Sequence, residues 1–346
     1  TFNGVWNNYP YFPSGTIAIS DINRGMIVVR VNLDQLTIAP VGPIATRVEP
    51  DAPTPVSVLI TNSGTPVDPA TVRVLASING GPFVPSPMQD SGSGIFTGSL
   101  PPAPCGALIR WYFDAQSQAN RTFQLPLTAP AAFFEAESYS SRETIVSFEM
   151  ETDAGWTSGA PGDTATAGLW ERGDPEPTNA QPGDDHTPAP GVNCWITGRR
   201  AGGGVGSFDV DGGFTTLLSP IINLSGGSPL TRIGYWRWYS NTAGGSPGQD
   251  VFTISISNNA GATWTTAETV GPGAPNNSGG WIYHEFRVLD LVPTLTSQMQ
   301  LRFVADDANA GSVVEAAIDD VLIYRQTCST PTCDYDFNQD ENVDLL

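Results

Sequence analysis

Residues 231–259 read TRIGYWRWYSNTAGGSPGQDVFTISISNN, and this stretch decides the fold class. Two runs, 231–240 and 251–259, are rich in β-branched and aromatic residues. Between them lie Asn, Gly, Ser and Pro, the residues that bound strands. Trp236 and Trp238 alternate around Arg237 and so share one face of a strand. The same pattern recurs on either side: TIVSFEM (144–150), VNCWITG (192–198), FTTLLSPIINL (214–224), WIYHEFRVLDL (281–291), MQLRFVADD (299–307) and VVEAAIDDVLIY (313–324). About eight strands over 131–327 predict a jelly-roll β-sandwich. Its long polar segment, 157–191, predicts a functional or metal-pinned loop.

Residues 38–130 repeat the logic on a smaller scale. TPVSVLITNSG (54–64) alternates apolar and polar residues, and Asn79-Gly80 marks a hairpin. GIFTGSLPP (94–102) and ALIRWYFDAQS (107–117) add strands. Strands about ten residues apart predict an immunoglobulin- or fibronectin-like sandwich, with Trp111 and Phe113 in its core. Residues 1–37 hold two more runs joined by Asn23, Arg24 and Gly25, a β-hairpin. It is either a hairpin packed on the next domain or the remnant of a propeller blade. The whole chain is expected to be all-β.

Composition narrows the chemistry. The net charge is -20, and all 15 basic residues are arginine. An acidic surface repels phosphate backbones, so no nucleic-acid partner is expected. The absence of lysine removes P-loop, Schiff-base and pyridoxal-phosphate chemistry. No apolar run of about 18 residues predicts a membrane span. Of the four cysteines, Cys328 and Cys333 are close enough in sequence to bridge, which suggests an oxidising compartment. Cys105 reads as a small buried or loop thiol, and Cys105 and Cys194 are not expected to bridge each other.

Catalytic motifs fail on inspection. HEFRV at His284 has Val288 where a second zinc-binding His is required, and it lies on a strand. His284 is expected on the solvent face. GGSPG (244–248) puts Pro247 where an oxyanion-hole N–H is needed. A glycosidase-like carboxylate pair stays open as a reading, with no residue singled out.

Acidic residues point to a hard cation instead, since calcium takes several oxygen ligands from loops. Glu149 follows the first jelly-roll strand, near Glu151 and Asp153. Asp184 and Asp185 sit in the long loop, Asp209 and Asp211 precede a Gly pair, and Asp319 and Asp320 lie in the last strand. If the first and last strands adjoin, Glu149 meets Asp319 or Asp320. At the end of the chain, Asp336, Asn338, Asp340, Asn342 and Asp344 follow EF-hand spacing, with Glu341 where glycine usually turns the loop. The twelfth ligand position falls after Leu346, so the sequence reads as a fragment; an acidic tail is the plainer reading. Trp236 and Trp238 are either core or, if exposed, a platform for sugar rings.

Three resemblances add to this. YPYFPSGTIAISDINRGMIVVRV (9–31) resembles the propeller end of secreted bacterial choice-of-anchor B proteins. AQPGDDHTPAPGVNCWITG (180–198), DVDGGFTTLLSPIINLSG (209–226) and SVVEAAIDDV (312–321) resemble jelly-roll modules that follow the catalytic domain in some bacterial zinc carboxypeptidases. CSTPTCDYDFNQDENVDLL (328–346) resembles the first half of a dockerin-type calcium repeat. These imply a non-catalytic accessory, adhesion or anchoring region of a larger secreted or surface protein, calcium-stabilised, with a protein or glycan partner at the cell surface. The alternative is a carbohydrate-binding or accessory module of a secreted hydrolase or peptidase.

Overall fold

The computed structural model describes residues 5–9, 16–30, 35–273, 275–308 and 311–328. Among them the chain is all-β, with one 3₁₀ turn at Val288–Asp290 as the only helical element. No helix of the described residues is long and apolar enough to cross a membrane. The chain divides into two compact units, residues 1–140 and 141–346.

In the first unit, β1 (Val5–Tyr9), β2 (Thr16–Asp21) and β3 (Gly25–Arg30) form an antiparallel sheet. The expected hairpin is β2–β3. Its turn is set by Asp21, whose Oδ1 accepts the Asn23 and Arg24 N–H groups at 2.9 and 2.8 Å, a side-chain mimic of a backbone turn. Strand β1 was not anticipated.

The sandwich of this unit has a four-stranded sheet, β4 (Gln35–Pro40), β6 (Thr54–Ser63), β10 (Ile95–Leu100) and β9 (Gln89–Asp90). Facing it are β5 (Arg47–Val48), β13 (Phe134–Ser138), β11 (Leu108–Ser117), β7 (Val67–Ile78) and β8 (Val84–Pro87), with β12 (Thr122–Leu125) beside β11. Asn79 and Gly80 both take positive φ, +50° and +75°, and turn β7 into β8, as Asn-Gly hairpins do. Trp111 and Phe113 are buried between the sheets with Val58 and Phe96, as alternation requires. The expected boundary at 130 moves to 140. Phe134 pairs with Trp111 across β13 and β11, so the Ala-Pro run before it is a turn inside the unit and not a linker.

The second unit is a larger sandwich. One sheet runs β16 (Trp170–Gly173), β17 (Cys194–Thr197), β24 (Ser312–Thr327), β19 (Thr231–Gly244), β22 (Ile282–Arg287), with β14 (Ser141–Phe148) also on β24. The other runs β15 (Thr157–Ser158), β18 (Gly213–Leu218), β23 (Gln300–Asp307), β20 (Val251–Ser257), β21 (Thr265–Val270). Every expected strand is present. The short β15 and β16 and the Thr/Glu-rich β21 were missed, because none shows a clean apolar alternation. Tyr235, Tyr239, Phe252, Phe303 and Ile318 fill the space between the sheets.

Arg237 follows the same inward side of β19. Its guanidinium meets Glu268 at 2.7 Å, and Tyr235 donates to the same carboxylate at 3.0 Å. His284 lies half-buried here and not on the solvent face. Register sets it opposite the inward Tyr235, its Nδ1 is 3.5 Å from Glu268, and burial lowers its pKa despite that carboxylate.

Phe303 is fully buried, 5.9 Å from the Trp156 ring and 5.5 Å from Tyr235. Phe303→Ala is expected to destabilise this unit by about 3–5 kcal/mol. Denaturant titration checks it, and a loss below about 1 kcal/mol would contradict the packing described.

Candidate functional site

Because Tyr235 and Tyr239 point inward, Trp236 and Trp238 stand on the outer face of the six-stranded sheet. They are neither sandwich core nor an open platform. Residues 174–193 lie across them as a strap. Trp238 Nε1 donates to the Ala180 carbonyl at 2.7 Å, and Trp281 Nε1 to the Asp184 carbonyl at 3.2 Å. The His186 ring stacks on Trp236 with centroids 3.7 Å apart.

Two backbone irregularities aim carboxylates at this strap. In β24 the register slips between the Trp236–Asp319 and Gly234–Leu322 pairs, and Asp320 takes φ +47°. Such a bulge re-aims side chains. Asp319 Oδ2 accepts the His186 and Thr187 N–H groups at 2.7 and 3.2 Å. Asp320 holds the His186 ring through Nδ1 at 2.6 Å and the Thr187 hydroxyl at 2.8 Å. That hydroxyl also reaches the Glu149 carbonyl at 3.2 Å. At the end of β14, Met150 takes φ +58° and turns the chain. Glu151 then accepts the Val192 and Asn193 N–H groups, each at 3.0 Å, and the Asn193 amide at 2.9 Å.

The electrostatics are one-sided. Burial raises the Asp185 pKa to about 6, aided by the charges of Glu151, Asp184 and Asp320 and by its hydrogen bond to Glu151. For Glu151, burial is overcome by the Asn193 and Val192 donors, and its pKa falls. The same contact thus pushes the two carboxyls apart, Asp185 upward and Glu151 downward. Asp319 is fully buried and rises to about 7, through burial and then the Asp320 charge, against the backbone donors of His186 and Thr187. Asp185 Oδ2 is buried with no hydrogen-bond partner.

The expected acidic set therefore splits. Asp184, Asp185, Asp319 and Asp320 come together, and β14 does adjoin β24, with Phe148 opposite Val321. Glu149 brings its backbone carbonyl to this group. Asp209 and Asp211 lie elsewhere. Asp209 Oδ2 accepts the Val314 N–H at 3.3 Å, and Asp211 forms a backbone bridge with Ala167. Burial and then the Asp211 charge push Asp209 up to about 6. Sequence reasoning did not single out Glu315, a buried carboxyl on β24. Nothing in VVEAAIDDV shows that this strand is covered on both faces.

Among the described residues, no three His, Cys, Asp or Glu side chains are already arranged to hold a metal ion. A cation here would draw on carbonyls and water as well as carboxylates, as calcium commonly does. Asp336, Asn338, Asp340, Asn342, Asp344 and Cys333 lie outside the described residues. Cys328 is disulfide-bonded. So is Cys105, in place of the expected thiol. Cys194 is free and buried.

No protein-family model and no curated protein matches the chain. Solved structures similar to it include carbohydrate-binding modules of the β-sandwich superfamily, at 12% identity over 84% of this chain and 96% of that one, TM-score 0.32. A cyclase from Fischerella sp. TAU follows at 13% identity, 55% and 90% coverage, TM-score 0.31. A carbohydrate-binding module specific for non-crystalline cellulose gives 12% identity, 51% and 90% coverage, TM-score 0.28. At these scores the likenesses carry no functional argument.

Burial and then the Asp209 charge lift the Glu315 pKa to about 9. A raised carboxyl stabilises the fold fully below its unfolded value, and that stability is lost as pH rises through the folded pKa. Between pH 5 and 9, stability attributable to Glu315 should fall by about 1.4 kcal/mol per pH unit. Glu315→Gln is expected to flatten this slope in denaturant titrations across pH. An unchanged slope would show that Glu315 does not titrate this way.

Proposed function

We propose that this chain is a non-catalytic accessory region of a larger secreted or surface protein, serving adhesion or anchoring, in which calcium pins the strap to the jelly roll. The observation that carries this reading is the strap site itself. Asp319 and Asp320 hold His186 and Thr187, Glu151 holds Val192 and Asn193, and the charges that raise Asp185 between them are all carboxylates. Packing like charges at hydrogen-bond range is unfavourable unless a proton or a cation intervenes. The orphaned Asp185 Oδ2 and the Glu149 carbonyl fit an oxygen-liking cation. Calcium would supply charge and hold loops.

The disulfide-bonded state of Cys105 and Cys328 supports an oxidising, extracellular setting. The resemblances to choice-of-anchor B proteins and carboxypeptidase-associated modules belong to the same proposal, as does the terminal dockerin-like loop. Sugar stacking on Trp236 and Trp238 is disfavoured, because Trp238 and Trp281 direct their indole N–H groups at the strap and His186 covers Trp236. Display of a rigid, ion-set surface to a protein partner fits better.

Calorimetry of the chain in millimolar calcium and in chelator tests this. Calcium at about 100 times its Kd adds about 2.7 kcal/mol to the folded state, which should raise the melting temperature by roughly 5–10 °C. Proteolysis within 174–193 should slow in parallel. A melting temperature and cleavage rate indifferent to calcium would remove the strap ion.

A further inference from the structure

The end of the five-stranded sheet holds a second anionic centre that shares no residue with the strap site. β20 and β23 run antiparallel with Val251 opposite Asp306. Asp250 immediately precedes Val251 in the chain, Asp307 immediately follows Asp306, and the Asp250 charge acts on Asp307. Asp250 is 0% exposed and Asp307 5%. Like charges close together on neighbouring strands are unfavourable even at a surface, and here both are withdrawn from water. On its other side Asp307 faces Gly213 of β18, and its Oδ2 accepts the Gly212 N–H at 3.4 Å. The other oxygen, Oδ1, is buried with no hydrogen-bond partner.

Tyr239 brings a second orphan to this end of the sandwich. Its ring stacks on Phe252, with centroids 5.6 Å apart, and a side chain at Gly271 would meet both this ring and the Asp250 carbonyl. The Tyr239 hydroxyl is also buried without a partner. Asp250 itself is fixed from β19: Asn241 Nδ2 donates to its Oδ2 at 3.0 Å, and the Asp250 N–H donates back to Asn241 Oδ1 at 3.2 Å. The charges acting on Asp307 come from Asp250, Asp211 and Asp306. Those acting on Tyr239 come from Asp250, Asp306 and Asp307. All are carboxylates.

Orphaned oxygens, two fixed carboxylates and surplus negative charge make up a hard-cation site. The donor set is oxygen alone, without His or Cys, which selects calcium over zinc or copper. Calcium tolerates irregular sets completed by carbonyls and water, whereas magnesium requires a near-ideal octahedron. We propose that Asp250, Asp307 and the Tyr239 hydroxyl form a buried calcium site, independent of the strap ion.

The test uses the full chain, stripped with chelator and titrated with calcium chloride by calorimetry, with Asp307→Asn, Tyr239→Phe and Glu151→Gln as variants. Asp307→Asn is expected to lose one binding step of the wild-type isotherm, while Glu151→Gln keeps that step. In chelator, Asp307→Asn should melt above the wild type, because it deletes a repelling buried charge; in calcium the order should reverse. Tyr239→Phe keeps the ring on Phe252 and should weaken the same step several-fold, which preserves the test if Asp307→Asn fails to fold. Wild-type stoichiometry in both Asp307→Asn and Tyr239→Phe would overturn the site while leaving the strap ion intact. Loss of a step in Glu151→Gln alone would do the same. A chain that binds no calcium would overturn both, and would assign the carboxyls at this end to protonation.

Discussion

Burying a carboxylate requires something to replace water around its charge, and this requirement governs the second unit. It is met by familiar means at Glu268, held by the Arg237 guanidinium and the Tyr235 hydroxyl, and at Glu285, held by Arg232 and the Tyr283 and Tyr324 hydroxyls. Three other buried acids have acids as their charged neighbours. Asp319 is influenced by Asp320, Glu315 by Asp209, and Asp307 by Asp250, Asp211 and Asp306. An uncompensated buried ion carries a penalty of several kcal/mol. The raised pKa values are one response, with protons taking the place of a counter-charge. A divalent cation is the other.

The backbone is bent to build these centres. Met150 and Asp320 are non-glycine residues held at positive φ, one at the end of β14 and one in the middle of β24. Such conformations are disfavoured for residues with a Cβ and persist where surrounding structure holds them. Here they turn Glu151, Asp319 and Asp320 to one side of the same sheet. The strap is then tied by backbone N–H groups to carboxylates and by indole N–H groups to carbonyls. An otherwise ordinary jelly roll thus carries a long loop fixed at both ends.

Much of the fold was legible because strands have a period of two. Tyr235, Arg237 and Tyr239 against Trp236 and Trp238 separate cleanly into two faces, and Asn79-Gly80 marks its turn. Which face is core was not legible, since the strap covers the outer one and gives both faces apolar residues. β21 was hidden by its Thr and Glu content, and β13 by the proline turn before it. The pairs Asp184-Asp185 and Asp319-Asp320 stood out by residue type, and the strap's His186 and Thr187 contacts brought them together. Asp250, Asp307 and Tyr239 did not stand out. Each is an ordinary residue near a strand end or on a core face, and only the register of three strands makes them neighbours.

Crystals grown in calcium, with anomalous diffraction measured to locate the ions, give the most direct view of whether cations neutralise these acids. The expected result is an anomalous peak within about 2.3–2.6 Å of carboxylate oxygens at Asp307 and another at the strap beside Asp185. Absence of both peaks, with Asp185 Oδ2 and Asp307 Oδ1 still unpartnered, would contradict it.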